Sequence, residues 1–344
     1  MSQTSASAAT AGTSPGAPAA PGRARRALRA TAIVSCVPYL ALKAAWVAGS
    51  RLGIPDGSPL LEHRTTMAVA NSLSIVLDSA VVVLALLLTR PWGLRVPAWL
   101  LAFPMWVATG LIAPIMTGYP LQLLVRVVDG GARTSGTGGG GEPFLDEWVF
   151  GVVYTGFIVQ GLTLGTLFVL YARDRWRHLW SGRTGDLPVS AVAPAQRATA
   201  VAAAVLALFP LAQRAAWACG STAGLSGRRA MGRDSDFHVL EATFAAFLVV
   251  AVAGAWMLAF RQGRGLSLKV PLALAWTGSG ATACWGCWVS LASLGGGNDL
   301  ADRPTQAMNL TYAGQMIVGI LVAALGAHFL AERAAAGRAA RRPV

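Results

Sequence analysis

The chain has 344 residues, of which 54% are hydrophobic and only 12% charged. Soluble domains carry about 25% charged residues, so this composition excludes an ordinary soluble domain and indicates an integral membrane protein. The formal net charge is +13, but the Arg residues lie in short clusters beside apolar runs. Because no basic face with interleaved aromatic residues is formed, nucleic acid is not expected as a partner.

The N-terminal residues 1–30 are predicted to be a disordered, basic tail. Residues 1–22 are a low-complexity Ala/Ser/Pro/Gly stretch, and "RARRALRA" follows before an apolar run. This order resembles that of a signal peptide. However, a similar run recurs in mid-chain around Pro210, where no signal peptide can stand, so we interpret the first run as a retained membrane span.

Eight segments have the roughly 20 mostly apolar residues that a helix needs to cross a bilayer. They are residues 31–49, 67–89, 98–117, 148–172, 198–218, 237–260, 270–293 and 309–331. None shows the alternating pattern of a membrane β-barrel strand. The sequence therefore predicts an all-α bundle of eight transmembrane helices.

The placement of Lys and Arg predicts the orientation of these spans. If the N-terminus is cytoplasmic, most of the basic residues outside the spans lie on the cytoplasmic side, and most acidic residues lie on the other side. Both termini are therefore expected in the cytoplasm, with the bilayer as the principal partner.

Three pairs of segments indicate that the chain is duplicated. "YLALKAAWVAGS" (39–50) is similar to "PLAQRAAWACGS" (210–221), residues 94–110 are similar to 268–284, and 154–175 are similar to 312–333. We predict two tandem four-helix repeats. The predicted boundaries are 31–175 for the first repeat, 176–197 for a cytoplasmic linker, 198–333 for the second repeat and 334–344 for a basic tail.

Because each repeat has an even number of spans, the two repeats share one orientation, and a pseudo-two-fold axis along the membrane normal is expected. The first repeat alone contains "GARTSGTGGGGEP". This segment lacks the Gly-Lys-Ser/Thr ending and the preceding strand of a phosphate-binding loop, and we interpret it as a flexible linker.

The runs "PYLALKAAW", "LTRPWGLRVPAWLLAFPMWVATGLIAP", "VVYTGFIVQG" and "LYARDRW" resemble a group of multi-pass membrane proteins of high-GC actinobacteria that has no known activity. The similarity covers most of the membrane region from about Pro38 onward. It implies a location in the bacterial plasma membrane. It implies no catalytic residue.

Lys43 and Arg214 are equivalent cations within the first and fifth spans. A charge at the centre of a bilayer costs about 2.5–3.5 kcal/mol on an insertion scale. Both residues lie close enough to a span end for their side chains to reach the headgroups, beside Trp46 and Trp217. Alternatively, the two cations face each other across the pseudo-two-fold axis and bind an anionic or carbonyl-bearing ligand, or each forms a structural ion pair.

Two acidic residues also lie within the spans. Glu241 begins the sixth span at about the depth of Arg214, and an ion pair between them is the simplest way to bury both charges. Asp78 lies deeper in the second span, so it must be protonated, paired or in a wet cavity. Asn71 lies two turns away on the same face. We therefore select Lys43, Asn71, Asp78, Arg214 and Glu241 as candidates for a ligand or ion pathway.

"CWGC" at 284–287 suggests a redox pair, but Cys284 and Cys287 in a continuous helix are too far apart for a relaxed disulfide. Packing of small residues explains the motif better. The His residues lie in loops or near span ends, which disfavours haem, and no motif for a metal site or a hydrolytic enzyme is present. We therefore expect no cofactor.

These observations predict an integral protein of the bacterial plasma membrane. It is expected to be a small-solute transporter or a ligand-binding membrane protein. The alternatives are a non-catalytic scaffold or sensor and, third, a membrane redox enzyme that uses Cys284 and Cys287.

Overall fold

The computed structural model describes residues 22–56, 58, 64–128, 145–187, 192–294 and 303–339. Nine α-helices and two 3₁₀ helices lie in these ranges. The α-helices are α1 (Arg23–Val47), α2 (Arg64–Leu87), α3 (Ala98–Val128), α4 (Glu147–Trp180), α5 (Ala193–Ala218), α6 (Gly227–Met231), α7 (Ser235–Phe260), α8 (Lys269–Leu294) and α9 (Gln306–Ala339). Most of the predicted tail (residues 1–21) and the predicted Gly-rich linker lie outside the described residues.

Seven of the helices in this part of the chain are long and apolar enough to cross a membrane, which indicates a multi-pass membrane protein. The predicted count of eight is not reached by this measure. The predicted seventh span forms helix α8, but Thr277, Gly278, Ser279 and Gly280 lower the hydropathy of its centre. These small residues suit its position, because α8 packs against α3, α7 and α9.

Glycines bring α8 close to its neighbours. A Cβ atom added at Gly278 would lie 2.4 Å from the backbone nitrogen of Ala251 in α7, and one added at Gly110 in α3 would lie 2.3 Å from the carbonyl oxygen of Gly280. Distances this short leave no room for a side chain. The contact between α3 and α8 is therefore a close backbone contact, and it joins the first four long helices to the last four.

The remaining contacts follow a regular pattern. α1 packs on α2 and α4, while α5 packs on α7 and α9. One apolar core, which includes Cys36, Leu101 and Leu164, lies among α1 to α4, and a second, which includes Leu248 and Val322, lies among α5, α7, α8 and α9. Lys43 and Arg214, the cations of the repeated "AAW" segments, therefore each lie among helices of their own half.

The helix ends differ from the predicted spans in ways that matter for the site. α1 begins at Arg23 rather than at residue 31, and the ion pair between Arg25 and Asp174 joins it to α4. α3 continues through Pro114 and Pro120 to Val128, well beyond the predicted end at 117. α4 is kinked at Trp176, where the linker between the repeats was predicted to begin.

Two polar clusters and a cavity at one end of the bundle

α1 and α5 end, and α2 and α7 begin, at the same end of the bundle, which we call the Trp end after Trp46 and Trp217. Both helices finish in the same turn. Gly49 and Gly220 have φ values of +93° and +94°, a left-handed conformation that favours glycine. The indole Nε1 of Trp46 donates to Leu52 O at 2.7 Å, and that of Trp217 donates to Ala223 O at 2.9 Å. The repeated motif therefore forms the same local structure twice.

In the second half, Arg214 lies one turn before Trp217 and is almost completely enclosed. Its Nη1 donates to Glu241 Oε2 at 2.7 Å, and each side chain is only 2% exposed. Its Nε and Nη2 donate to Gln315 Oε1 at 3.2 and 3.1 Å. The ion pair expected between Arg214 and Glu241 is present. Arg214 does not reach toward the headgroups, because α7 and α9 supply acceptors for it inside the bundle.

Aromatic rings surround this ion pair. The guanidinium carbon of Arg214 lies 4.6 Å from the ring centroid of Phe244 and 5.3 Å from that of Tyr312. Cation–π contacts of this kind gain strength when the cation is removed from water. We name Arg214, Glu241 and Gln315 the second-half cluster, and its guanidinium is well satisfied.

In the first half, Lys43 lies one turn before Trp46, and its Nζ donates to Asn71 Oδ1 at 2.8 Å. Asn71 follows Lys43 by 28 residues, just as Glu241 follows Arg214 by 27 residues. In both halves the cation therefore contacts the next membrane-spanning helix at a corresponding position. The partner is charged in the second half and neutral in the first.

Asp78 lies about two turns further along α2 than Asn71. It is 6% exposed, and its Oδ1 lies 3.5 Å from Gln160 Nε2, which is also 3.2 Å from Cys36 Sγ. Its other oxygen, Oδ2, is buried and has no hydrogen-bond partner among the residues that the structure describes. We name Lys43, Asn71, Asp78 and Gln160 the first-half cluster.

A cavity of about 320 Å³ opens at the Trp end, between α3 and α4 on one side and α6 and α7 on the other. Its charged and aromatic lining residues are Glu147, Asp234, Asp236, Glu241, Arg126, Arg229, Tyr119, Phe150, Tyr154 and Phe237. Glu241 belongs both to this wall and to the buried ion pair with Arg214. The cavity therefore reaches the second-half cluster, and Asp78 is not among its lining residues.

Side chains of α3 and α7 form a bridge beside the cavity. Arg126 Nε donates to Asp236 Oδ1 at 3.2 Å, and a second guanidinium nitrogen contacts Oδ2. Gln122 Nε2 donates to the backbone oxygen of Asp236 at 3.2 Å. Because α3 and α7 lie in different halves of the chain, this bridge links the halves at the Trp end.

Cys284 and Cys287 are half-buried and, like Cys36 and Cys219, are free thiols. The Sγ of Cys284 would lie 2.9 Å from a Cβ added at Gly110, so Cys284 packs at the close contact between α3 and α8. Among the described residues, no group of three or more His, Cys, Asp or Glu side chains is arranged to hold a metal ion.

The structure therefore distributes the predicted residues over two clusters. Lys43, Asn71 and Asp78 lie in the first, and Arg214 and Glu241 lie in the second. Within the described residues, no hydrogen bond or ion pair joins one cluster to the other.

Gln160 and Gln315 contribute to these clusters but were not predicted. An uncharged Gln within an apolar run is the only signal that the sequence offers for either residue.

Comparisons with protein-family models, with curated proteins and with solved structures gave no match. The role of each residue is therefore inferred from its surroundings in this protein alone.

Proposed function

We propose that this protein spans the bacterial plasma membrane eight times, as two tandem four-helix halves related by a pseudo-two-fold axis along the membrane normal. Helix α8 completes the count as the seventh span in chain order, since its 26 residues match the lengths of α5 and α7. The matching turns at Gly49 and Gly220 support the duplication. Both termini are cytoplasmic in this proposal, so the Trp end faces outward.

In this proposal the protein binds a small solute in the cavity between the halves, as a transporter or as a ligand-binding membrane protein. The observation that carries the proposal is the cavity itself. Its volume of about 320 Å³ lies at the lower end of the range of about 300–1,000 Å³ for ligand pockets. It also lies between the halves, where solute sites of repeat-built transporters are found.

The chemistry of the wall favours a solute that carries a positive charge. Four carboxylates and two guanidinium groups line the cavity, together with four aromatic rings. The rings of Tyr119 and Tyr154 meet edge to face with centroids 4.8 Å apart. Aromatic faces and carboxylates together are the groups that recognise ammonium ligands.

The buried ion pair gives Glu241 a defined position in this wall. Arg214 binds one of its oxygens at 2.7 Å, which holds the carboxylate in place. Because Glu241 is also a lining residue, a cationic solute at the base of the cavity would lie next to it. Passage beyond this point requires the halves to move relative to each other, and the bridge between Arg126 and Asp236 would then open.

Equilibrium binding to the purified protein in lipid nanodiscs tests this proposal. Radiolabelled choline serves as the cationic probe, and labelled taurine and succinate serve as zwitterionic and anionic probes. We expect choline to bind, and we expect Leu123→Trp, which places a larger side chain in the cavity wall, to weaken binding at least about tenfold.

Leu124→Trp is the matched control, because Leu124 is the next residue of α3, is exposed and does not line the cavity. Its affinity for choline should equal that of the wild type. If none of the three probes binds, or if both variants bind equally well, the solute-binding proposal is wrong.

A further inference from the structure

The first-half cluster contains buried polar atoms that its own residues do not satisfy. Asn71 and Asp78 are only 4% and 6% exposed. Asn71 Nδ2 and Asp78 Oδ2 have no hydrogen-bond partner among the described residues. Buried polar atoms are normally paired. Gln315 Nε2 of the second-half cluster is also buried without a partner, but both charged groups of that cluster are paired with each other, whereas Asp78 is a titratable group with an unpaired oxygen.

The groups that face Asp78 come from the helices packed on α2. α1 contributes Cys36, Tyr39 and the cation Lys43, and α4 contributes the amide of Gln160, with Tyr154 beyond Tyr39. The α3 residues in the same core, Leu101 and Met105, do not titrate. Lys43 is therefore the cation of this group, and its Nζ is hydrogen-bonded to Asn71.

The surrounding groups would stabilise a permanent negative charge on Asp78 only weakly. The one donor to Asp78 is an amide at 3.5 Å, which is the outer limit of a hydrogen bond. An ionised carboxylate in an apolar environment is costly unless it is paired and hydrogen-bonded, whereas a protonated carboxyl is much less so. The Nζ of Lys43 is held on Asn71, about two turns along α2 from Asp78, and its positive charge favours the ionised form of the carboxyl.

We propose that Asp78 is a proton-binding site, at which Oδ2 takes up and releases one proton. Protonation forms the O–H bond at Oδ2 and removes the buried charge. Release of the proton leaves a carboxylate that the positive charge of Lys43 stabilises.

The second half cannot act in this way. The residue two turns beyond Glu241 on α7 is Leu248, which is completely buried, and the cation there is an arginine, which stays protonated in proteins. Among the described residues, this site is therefore a feature of the first half alone. Proton binding at Asp78 does not depend on a solute. Only its use as the coupling ion of transport rests on the function proposed above.

Infrared difference spectroscopy on the full-length protein in lipid nanodiscs tests this site. A protonated carboxylic acid has a C=O stretching band that a carboxylate lacks. We expect this band to grow as the pH is lowered from about 9 to about 4, a range that includes the carboxyl groups of folded proteins. The component that belongs to Asp78 should be missing from Asp78→Asn.

Asp174→Asn is the control, because Asp174 is an exposed carboxylate paired with Arg25, and its removal should leave the Asp78 component in place. Asn has nearly the shape of a protonated Asp, and the gel-filtration profile of Asp78→Asn shows whether it folds. A wild-type spectrum with no pH-dependent component lost in Asp78→Asn overturns the proposal. So does an Asp78 band that keeps its full height up to pH 9.

Choline binding by the same samples separates this inference from the proposed function. A titrating Asp78 band without binding of any probe supports the proton site and contradicts the solute site. Solute binding without such a band contradicts the proton site alone.

Discussion

The two halves of the bundle place a cation at the same point of the same turn and surround it differently. Arg214 has an anionic partner in α7 and an amide partner in α9, whereas Lys43 binds the neutral Asn71. Two turns along the neighbouring helix, the second half has Leu248 and the first half has Asp78. The second-half cluster therefore holds a paired charge, while the first-half cluster contains a buried carboxyl oxygen that has no hydrogen-bond partner among the described residues. If the chain is duplicated as we propose, such a difference between the two copies is a guide to function, since the shared features are explained by the shared fold.

The largest effect is expected from breaking the second-half cluster. Glu241→Gln leaves the guanidinium of Arg214 buried without a counter-charge, and the removal of one partner from a buried ion pair costs about 3–5 kcal/mol. We expect a loss of this size in the free energy of unfolding, measured by denaturant titration in mixed micelles. Glu147→Gln is the control, because Glu147 is exposed and lies 3.7 Å from Arg126. Equal losses for the two variants would mean that the buried ion pair contributes no more to the free energy of unfolding than the exposed contact of Glu147.

A smaller effect is expected at Gln160 and Gln315, whose contacts were not predicted from the sequence. Gln315→Leu removes the acceptor of two hydrogen bonds from Arg214, and hydrogen bonds to charged groups contribute about 1.5–3 kcal/mol. Gln160→Leu removes one long contact with Asp78 and a weak one with the sulfur of Cys36, and it should cost less than about 1 kcal/mol. The same unfolding titration compares the two variants. A larger loss for Gln160→Leu would contradict the conclusion that the charged groups are more firmly held in the second-half cluster.

Asn71→Leu tests how firmly the first-half cluster holds its cation. Lys43 loses its hydrogen bond at 2.8 Å, but it is only partly buried and one turn from the helix end, so its long side chain can extend to the headgroups. We expect a loss of about 1 kcal/mol in the free energy of unfolding. A loss as large as that of Glu241→Gln would show that both clusters are equally enclosed.

The smallest effect is expected for Asp78→Asn. At about pH 4, Asp78 carries its proton in the folded protein in our proposal, and about half of the unfolded chains carry it too, so replacement by an amide of the same shape changes neither the buried charge nor the packing. The free energy of unfolding at this pH should stay within about 0.5 kcal/mol of the wild type. Toward neutral pH the variant should become the more stable of the two, because only the unfolded wild type then releases the proton readily. A loss of several kcal/mol would show that the ionised carboxylate supports the fold through Lys43.

Much of the helical architecture could be predicted from the sequence, because the length of an apolar run and the position of a cation within it are local features. The ion pair between Arg214 and Glu241 was also predictable, since two buried charges of opposite sign at one depth have few other solutions. The number of membrane spans was harder to predict. Helix α8 has a centre of small and weakly polar residues because protein, rather than lipid, surrounds it.

The cavity could not be predicted, because it depends on where α3 ends. Pro120 was expected to lie beyond the helix, yet α3 continues to Val128 and brings Gln122 and Arg126 against α7. The residues that contact Asp78 could not be predicted from the sequence either. Gln160 is an uncharged residue on a distant part of the chain, and only the packing of α4 against α1 brings it to Asp78.

Double-mutant cycles on the two cation pairs test the difference between the halves most directly. One cycle combines Arg214→Met with Glu241→Leu, and the other combines Lys43→Met with Asn71→Leu. The coupling energy of each pair is obtained from unfolding titrations of the single and double variants. We expect the Arg214–Glu241 coupling to exceed the Lys43–Asn71 coupling by at least about 1 kcal/mol, since a buried charge pair is lost in the first cycle and a single hydrogen bond in the second. Equal couplings, or a larger one for Lys43 and Asn71, would contradict the distinction between a closed charge pair and an incompletely satisfied polar cluster.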